Sequence, residues 1–340
     1  MSRGPNDQSA SVSDSGPLIA PAVPEEDRHP SAGTPEHCEG RALEFSPSPG
    51  TAVALASAEL VAKATPETDD DEPQNALTKK FTAAEWSALR EFRSMLPATF
   101  TGAFPDRPDA SSAPYILWGV TIDPTKPKDP RVSVILMKFL RARNLNLDEA
   151  KAMFISTLRW RQSFDVEGAI KEQYPEDVFG GLGKIFGKDK QGHPVVYNLY
   201  GAAKDTGAFN DIQRFLRWRV AFMERSIALL DFETVDRAIQ IHDYEGVGLF
   251  DRTENSKRAA SEATSIFQGH YPELLARKFF VNVPSFMTWI FWLFKPLISS
   301  ATLGKMAVVG SGPRTIGAAL LPIIDEHELP KRYGGSAEGF

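Results

Sequence analysis

Apolar residues recur at helical spacing between residues 81 and 174. Thr82 and Glu85 have the spacing of a capping box, and an apolar stripe begins directly behind them. A proline-rich stretch follows, and further helical stripes start at Val132 and near Asp148. These patterns predict a small helical module over residues 81–174.

After residue 174 the pattern changes to the alternation that is typical of strands. Strands are predicted at residues 194–200, 238–244, 278–283 and 305–309, and helices at residues 210–230 and 254–269. Residues 180–192 are rich in glycine and lysine and are predicted to form an irregular connection. Strands that alternate with helices predict an α/β domain over residues 175–340, with helices packed against a sheet.

The first 80 residues differ from the rest in composition. They hold 10 of the 25 prolines, a single aromatic residue (Phe45) and 14 acidic against 6 basic residues. Too few large apolar side chains are present to offset the loss of chain entropy, so residues 1–80 are predicted to be a disordered acidic tail. Their net charge of −8 leaves +2 for the remaining residues. A nearly neutral folded part gives no indication of a nucleic-acid partner.

Cysteine content and apolar runs narrow the class of protein. The single cysteine, Cys38, lies in the tail, which excludes an intrachain disulfide and a cysteine-based metal site. The N-terminal residues contain no basic flank followed by an apolar run, so no signal peptide is predicted. The longest apolar stretch, residues 286–294, spans about nine residues, whereas a membrane helix needs roughly 20. A protein of cytoplasmic type that does not cross a bilayer is expected.

Residues 285–294 are apolar on all sides, so no single face separates core from solvent. One interpretation is a fully buried helix. The other is a helix that covers a hydrophobic cavity and swings out onto a membrane, with Lys295 beside the lipid phosphates. The residues that would form this membrane gate are Phe286, Trp289, Ile290, Trp292, Leu293 and Phe294.

Strand alternation also sorts the polar side chains by face. The titratable residues that fall on interior faces are Tyr200, His242, Tyr244 and Lys278 on the strands and Arg219 within the apolar stripe of the long helix. Each has an ordinary structural explanation: a satisfied core histidine or tyrosine, a solvated lysine, an arginine that snorkels or pairs with a carboxylate. Their convergence favours a second interpretation, an interior cavity lined by titratable groups.

Several motifs resemble those of the CRAL-TRIO lipid-transfer proteins, from about residue 85 to the C-terminus. Residues 136–143 (LMKFLRAR) and 160–164 (WRQSF) are similar to the small helical module of that family. Residues 192–195 (GHPV), 271–274 (YPEL), 280–284 (FVNVP) and 329–335 (LPKRYGG) are similar to its lipid-binding module. The resemblance implies an N-terminal helical module and an α/β lipid-binding domain. In that domain a mixed β-sheet floor, covered by helices, encloses a hydrophobic cavity.

Within the family, residues 197–200 (YNLY), 229–232 (LLDF) and 242–247 (HDYEGV) resemble a fungal branch of non-classical phosphatidylinositol-transfer proteins that also bind haem b. The resemblance implies that Tyr244 is the axial ligand of the haem iron. It places the other haem-contacting positions on Tyr200, Arg219, His242 and Lys278. A phenolate ligand favours ferric iron. Where the prototype of the branch has another tyrosine near the iron, this chain has Arg143, so five-coordinate iron is expected.

The implied function is exchange of phosphatidylinositol between membranes, in phosphoinositide homeostasis, together with haem binding and a role in the response to oxidants. The protein would be cytoplasmic and would associate peripherally with endoplasmic reticulum or microsomal membranes. Two alternatives stay open: a dedicated haem-handling protein with little lipid transfer, and a tyrosine-ligated haem enzyme. The sequence contains no Ser/His/Asp arrangement and no phosphate-binding loop, so no enzymatic activity is expected.

Overall fold

A computed structural model describes residues 72–126, 128–248, 253–284 and 304–340. The predicted membrane gate lies outside the described residues, as do residues 1–71, which contain Cys38 and nearly all of the predicted tail. Among the helices that are described, none is both long and apolar enough to span a bilayer.

The helical module forms where the apolar stripes predict it. Its elements are α1 (Ala83–Ser94), α2 (Leu96–Ala103), a hairpin of β1 (Tyr115–Leu117) and β2 (Val120–Ile122), α3 (Pro130–Arg141), α4 (Leu147–Phe164) and α5 (Val166–Lys171). The predicted capping box is confirmed, because the Thr82 side chain accepts from the Glu85 backbone N–H and the Glu85 carboxylate accepts from the Thr82 N–H.

Ordered contacts begin several residues before Phe81, the residue at which order is predicted to start. The Asn75 amide donates to the Phe232 carbonyl over 2.9 Å, and its Oδ1 accepts from the backbone N–H of Leu77 and of Thr78. Composition does not predict where order begins, because hydrogen bonds of the Asn75 side chain, rather than a run of apolar residues, attach residues 75–80 to the fold.

The α/β domain contains a mixed sheet whose described strands lie in the order β3-β4-β5-β6-β7. The strands are β3 (Gly183–Lys188), β4 (Pro194–Leu199), β5 (Ala238–Asp243), β6 (Leu275–Val281) and β7 (Met306–Val308). β3 and β4 are antiparallel and the other neighbouring strands are parallel. Its helices are α6 (Ile212–Ile227), α7 (Glu254–His270) and α8 (Pro313–Leu320). The predicted mixed α/β fold is confirmed.

The prediction of an irregular connection over residues 180–192 is wrong, because these residues include strand β3. The sequence of this strand, GKIFGK, does not alternate apolar and polar residues as a half-buried strand does. The glycine has a packing reason, since a Cβ atom at Gly183 would lie 2.7 Å from the Phe222 ring. The Phe222 ring of α6 therefore occupies the space that a side chain at position 183 would need. The strand has no apolar side chain there that would have predicted it.

A continuous core joins the helical module to the α/β domain. The residues that continue this core come from α6 and from the segments that follow α6 and α7: Met223, Ile227, Leu230, Phe232, Tyr271 and Leu274. A buried ion pair crosses the same boundary: the Lys138 ammonium lies 2.7 Å from a carboxylate oxygen of Asp236 and also donates to the carbonyl of Glu273. Both side chains are desolvated, so each depends on the other for its charge.

Candidate functional site

The two faces of the sheet differ in chemistry, as strand alternation predicts. Across the parallel ladders Asn198 lies beside His242, and His242 lies beside Phe280. Gln240 likewise lies beside Lys278. We call this side the polar face. The residues of the closed face, on the opposite side, are Val195, Tyr197, Ile239, Ile241, Phe279 and Val281, which pack under α8 and the C-terminal segment.

The structure brings together the titratable residues that the sequence places on interior faces. We call Tyr200, Arg219, His242, Tyr244 and Lys278 the polar cluster. Ring centres of Tyr200 lie 5.6 Å from His242 and 4.9 Å from Tyr244. The positive charges of Lys278 and Arg219 both act on the imidazole of His242. The ends of β4 and β5, the middle of β6 and helix α6 therefore contribute to one site.

His242 is the centre of a hydrogen-bonded chain. Its Nδ1 lies 2.6 Å from the Tyr200 hydroxyl, and its Nε2 lies 3.1 Å from Oε1 of Gln240. The amide oxygen of Gln240 can only accept, so Nε2 carries the proton and Nδ1 accepts from the Tyr200 O–H. Burial, with the nearby charges of Lys278 and Arg219, lowers the pKa of His242 well below its usual value. The imidazole is therefore neutral.

Tyr200 combines accessible surface with a desolvated hydroxyl. The residue is 41% exposed, yet lost hydration raises its pKa to about 12 although the charge of Arg219 opposes the shift. Part of the Tyr200 side chain therefore stays accessible while its hydroxyl, hydrogen-bonded to His242, is removed from water.

Arg219 and Lys278 supply positive charge without an anionic partner. Among the described residues neither side chain forms a hydrogen bond or an ion pair. The Arg219 guanidinium lies 4.8 Å from the ring centre of Phe267, and the Lys278 ammonium lies 5.9 Å from that of Phe280. Burial lowers the pKa of Arg219, and burial with the charge of Arg219 lowers the pKa of Lys278 to about 8. The carboxylate pairing considered for Arg219 is therefore not found here.

Tyr244 follows the last residue of β5 and is half-buried. Its backbone N–H donates to the Val281 carbonyl, and its ring centre lies 6.5 Å from that of Phe280. A cavity of about 410 Å³ opens at the carboxyl ends of β5 and β6, and its lining includes Tyr244, Asn282 and Arg332. Tyr244 thus belongs to the polar cluster and also lines this cavity.

Arg143 lies apart from the polar cluster in its contacts. It follows α3, and its guanidinium donates to the neighbouring carbonyl of Ala142. No hydrogen bond or ion pair connects it with the cluster in the part of the chain that the structure describes. Gln240, by contrast, contacts the cluster directly. The spacing of two residues places Gln240 on the same face of β5 as His242. A search for titratable side chains misses it, because an amide does not titrate.

A metal ion alone would find few ligands in this fold. Within the described ranges no group of three or more His, Cys, Asp or Glu side chains could hold one. A planar macrocycle with two carboxylates needs a different set: one axial donor, cations for its acidic groups and an aromatic lining. The polar cluster contains phenols, an imidazole, neighbouring phenylalanines and two cations that have no anionic partner within the described ranges, so its residues fit haem.

Two family models match the chain. The model described as CRAL/TRIO domain matches residues 179–335, and the one described as CRAL/TRIO, N-terminal domain matches residues 88–156. The matched segments coincide with the sheet that carries the polar cluster and with helices α1, α3 and α4.

Fungal relatives and a solved structure extend this similarity. The chain is 36% identical over 236 residues to the phosphatidylinositol transfer protein SFH5 of Phaeosphaeria nodorum, covering 63% of this chain and 69% of that protein. It is 38% identical over 241 residues to the protein of the same name from Cryptococcus neoformans var. neoformans, covering 64% and 79%. A crystal structure of Sfh5 matches with a TM-score of 0.62 at 25% identity, covering 76% of this chain and 89% of that one.

Proposed function

Because the chain belongs to the CRAL/TRIO family, we propose that it binds phosphatidylinositol and exchanges it between membranes. The relatives named as phosphatidylinositol transfer proteins support this function. The observation that carries it is the polar cluster, in which two cations without anionic partners lie beside accessible aromatic surface. A lipid with a phosphate and apolar chains matches both properties.

We further propose that the same site binds haem b. Arg219 and Lys278 would bind its propionates, because these side chains have no carboxylate of their own among the described residues. Tyr244 would be the axial ligand. Bound haem would supply a ferric centre, which an anionic oxygen donor stabilises. Tyr200 is less suitable as the iron ligand, because its hydroxyl forms a hydrogen bond with His242 and burial raises its pKa to about 12.

His242 would support the axial ligand Tyr244 while its own imidazole stays neutral. Its neutral imidazole accepts from Tyr200 and donates to Gln240, so both ring nitrogens are already engaged. Arg219 and Lys278 would also favour the phenolate form of a nearby tyrosine, since positive charge stabilises the anion. Phosphatidylinositol and haem would then compete for one site.

Two measurements on the purified full chain test the proposals separately. Transfer of labelled phosphatidylinositol between vesicles tests lipid exchange. Absorption spectroscopy with added haemin tests haem binding, and Tyr244→Phe is expected to abolish the characteristic Soret band, whereas Tyr174→Phe is the matched control. Tyr174 lies outside the polar cluster, and its hydroxyl donates to the Ala169 carbonyl.

The outcomes distinguish the candidate functions. Lipid transfer without a Tyr244-dependent spectrum would overturn the haem proposal, and a Tyr244-dependent spectrum without transfer would favour a haem-handling protein. Both together, with haemin inhibiting transfer, would support one shared site. Peroxide turnover above that of free haemin would be needed before an enzyme is considered.

A further inference from the structure

Asp243 separates the two side chains of the His-x-Tyr pair. It is the last residue of β5, between His242 and Tyr244, and alternation turns its side chain to the closed face. That side chain is 1% exposed. A carboxylate at such a position is costly unless its oxygens accept several hydrogen bonds.

Four donors surround this carboxylate. Oδ1 accepts from the Asn282 amide at 2.8 Å and from the Glu245 backbone N–H at 2.9 Å. Oδ2 accepts from the Tyr333 hydroxyl at 2.7 Å and from the Arg332 guanidinium at 3.3 Å. Both oxygens are satisfied, and the donors come from the turn after β5, the residue after β6 and the C-terminal segment.

The contacts fix the backbone that presents the cluster. The Asp243 carbonyl accepts from the Tyr200 N–H at 2.9 Å, and the Tyr244 N–H donates to Val281 at 3.1 Å. Arg332 also reaches Glu245 at 2.8 Å, in the turn that follows Tyr244. The end of a strand normally frays, because its ladder stops there. Here side chains located about 90 residues further along the chain hold it.

We propose that Asp243 is a positioning residue for His242 and Tyr244, and that Tyr333 and Arg332 act through it. The inference rests on the proposed function, because it assigns a role toward the ligand of the polar cluster. The C-terminal segment then helps to set the direction of two side chains of the polar cluster through the carboxylate between them. Rotation of the peptides around Asp243 would move both of these side chains together.

Two tyrosines of the closed face provide a matched test. Tyr197 and Tyr333 are both fully buried and their rings stack at 5.1 Å. The Tyr333 hydroxyl donates to Asp243, whereas the Tyr197 hydroxyl has no hydrogen-bond partner among the described residues. Tyr333→Phe therefore removes one bond to the carboxylate, and Tyr197→Phe removes the same atom without removing a bond. Arg332→Met is a milder second variant, since Arg332 is partly exposed.

Amide hydrogen exchange of the protein without ligand is the first measurement. Tyr333→Phe is expected to accelerate exchange at the backbone N–H of Tyr244 and Glu245 by about tenfold or more, since a hydrogen bond to a charged group is lost. Exchange at Ile239 and Ile241 reports on the whole sheet and is the internal reference. Tyr197→Phe is expected to change neither set.

Haemin titration is the second measurement. Tyr333→Phe is expected to weaken haemin binding by about five- to tenfold and to shift the spectrum at saturation, whereas Tyr197→Phe leaves both unchanged. Equal acceleration at all sheet amides, with wild-type haemin affinity and spectrum, would overturn the inference and leave Tyr333 a stabilising residue only. If the wild-type protein shows no Tyr244-dependent spectrum, the haem proposal fails, while the exchange measurement still decides the positioning role.

Discussion

The closed face and the polar face of the sheet are formed by alternate residues of the same strands, yet their side chains differ in chemistry. Residues of the closed face are at most 9% exposed and pack against Ile316, Leu320, Ile324, Leu329 and Tyr333. On the polar face Tyr200 and Val308 are 41% and 44% exposed, and Arg219 approaches from α6 without an anionic partner among the described residues. The closed face therefore stabilises the fold, whereas the polar face presents titratable side chains, some of them accessible.

This difference shows how a single strand serves two purposes. A period of two residues gives each strand one set of side chains for packing and an independent set for binding. Substitution on the closed face should affect mainly the free energy of unfolding. Substitution on the polar face should affect mainly ligand affinity.

A large effect is expected in the contrast between two neighbours on β5. Ile241→Ala should lower the free energy of unfolding by about 2–5 kcal/mol, because it leaves a cavity in the closed face. Gln240→Ala removes one hydrogen bond to His242 and should lower it by only about 0.5–1.5 kcal/mol. Denaturant unfolding measures both. Equal losses would contradict the assignment of the two faces.

The second contrast is between two arginines, one that approaches the polar face and one in a buried ion pair. Arg219→Met should weaken haemin binding by about 10- to 100-fold while leaving the stability unchanged or higher, because the charge it removes has no anionic partner in the described chain. Arg161 is the control, since it forms a buried ion pair with Glu224. Arg161→Met should destabilise the fold by about 3–5 kcal/mol. A stability loss of similar size at Arg219 would indicate a structural role.

A smaller effect is expected from pH. Burial lowers the pKa of Lys278 from 10.5 to about 8, so its positive charge is lost as the pH rises through 8. Affinity for an anionic ligand should therefore decrease up to about tenfold between pH 7 and pH 9. Lys278→Met should bind more weakly at pH 7 and show a flatter profile. An unchanged profile in this variant would exclude Lys278 as the titrating group.

Stability should respond to the same group with the opposite sign. Between pH 8 and 10.5 the unfolded chain retains a proton that folded Lys278 has lost, so the group contributes increasing stability as the pH rises. The pKa of Lys138 is also about 8, and its effect is common to the wild type and Lys278→Met. The difference between their unfolding curves therefore isolates Lys278.

The smallest expected effect is that of Tyr197→Phe. The hydroxyl is buried in the closed face without a hydrogen-bond partner in the part of the chain that the structure describes. Its removal should change the free energy of unfolding by less than about 1 kcal/mol, toward greater stability. A larger loss in thermal or denaturant unfolding would show that the hydroxyl has a partner in solution.

The sequence by itself determined the faces of the sheet. The period of two places His242 and Tyr244 on one side and Ile241 on the other, whatever packs against them. The helical period of α6 likewise places Arg219 in its apolar stripe. These assignments need only local geometry, because neighbouring side chains fix their own directions relative to the backbone. The capping box at Thr82 was predictable for the same reason.

Only the tertiary structure decided which partners these side chains have. Strand β3 depends on the approach of Phe222 to Gly183, and Asp243 depends on Tyr333, which follows it by 90 residues. No pattern within β5 indicates that its terminal carboxylate is held from the C-terminus. Nor could the sequence show that Arg219 lacks a carboxylate among the described residues while Arg161 has one. Direction is encoded locally, whereas the partner of a buried charge depends on the packing of distant segments.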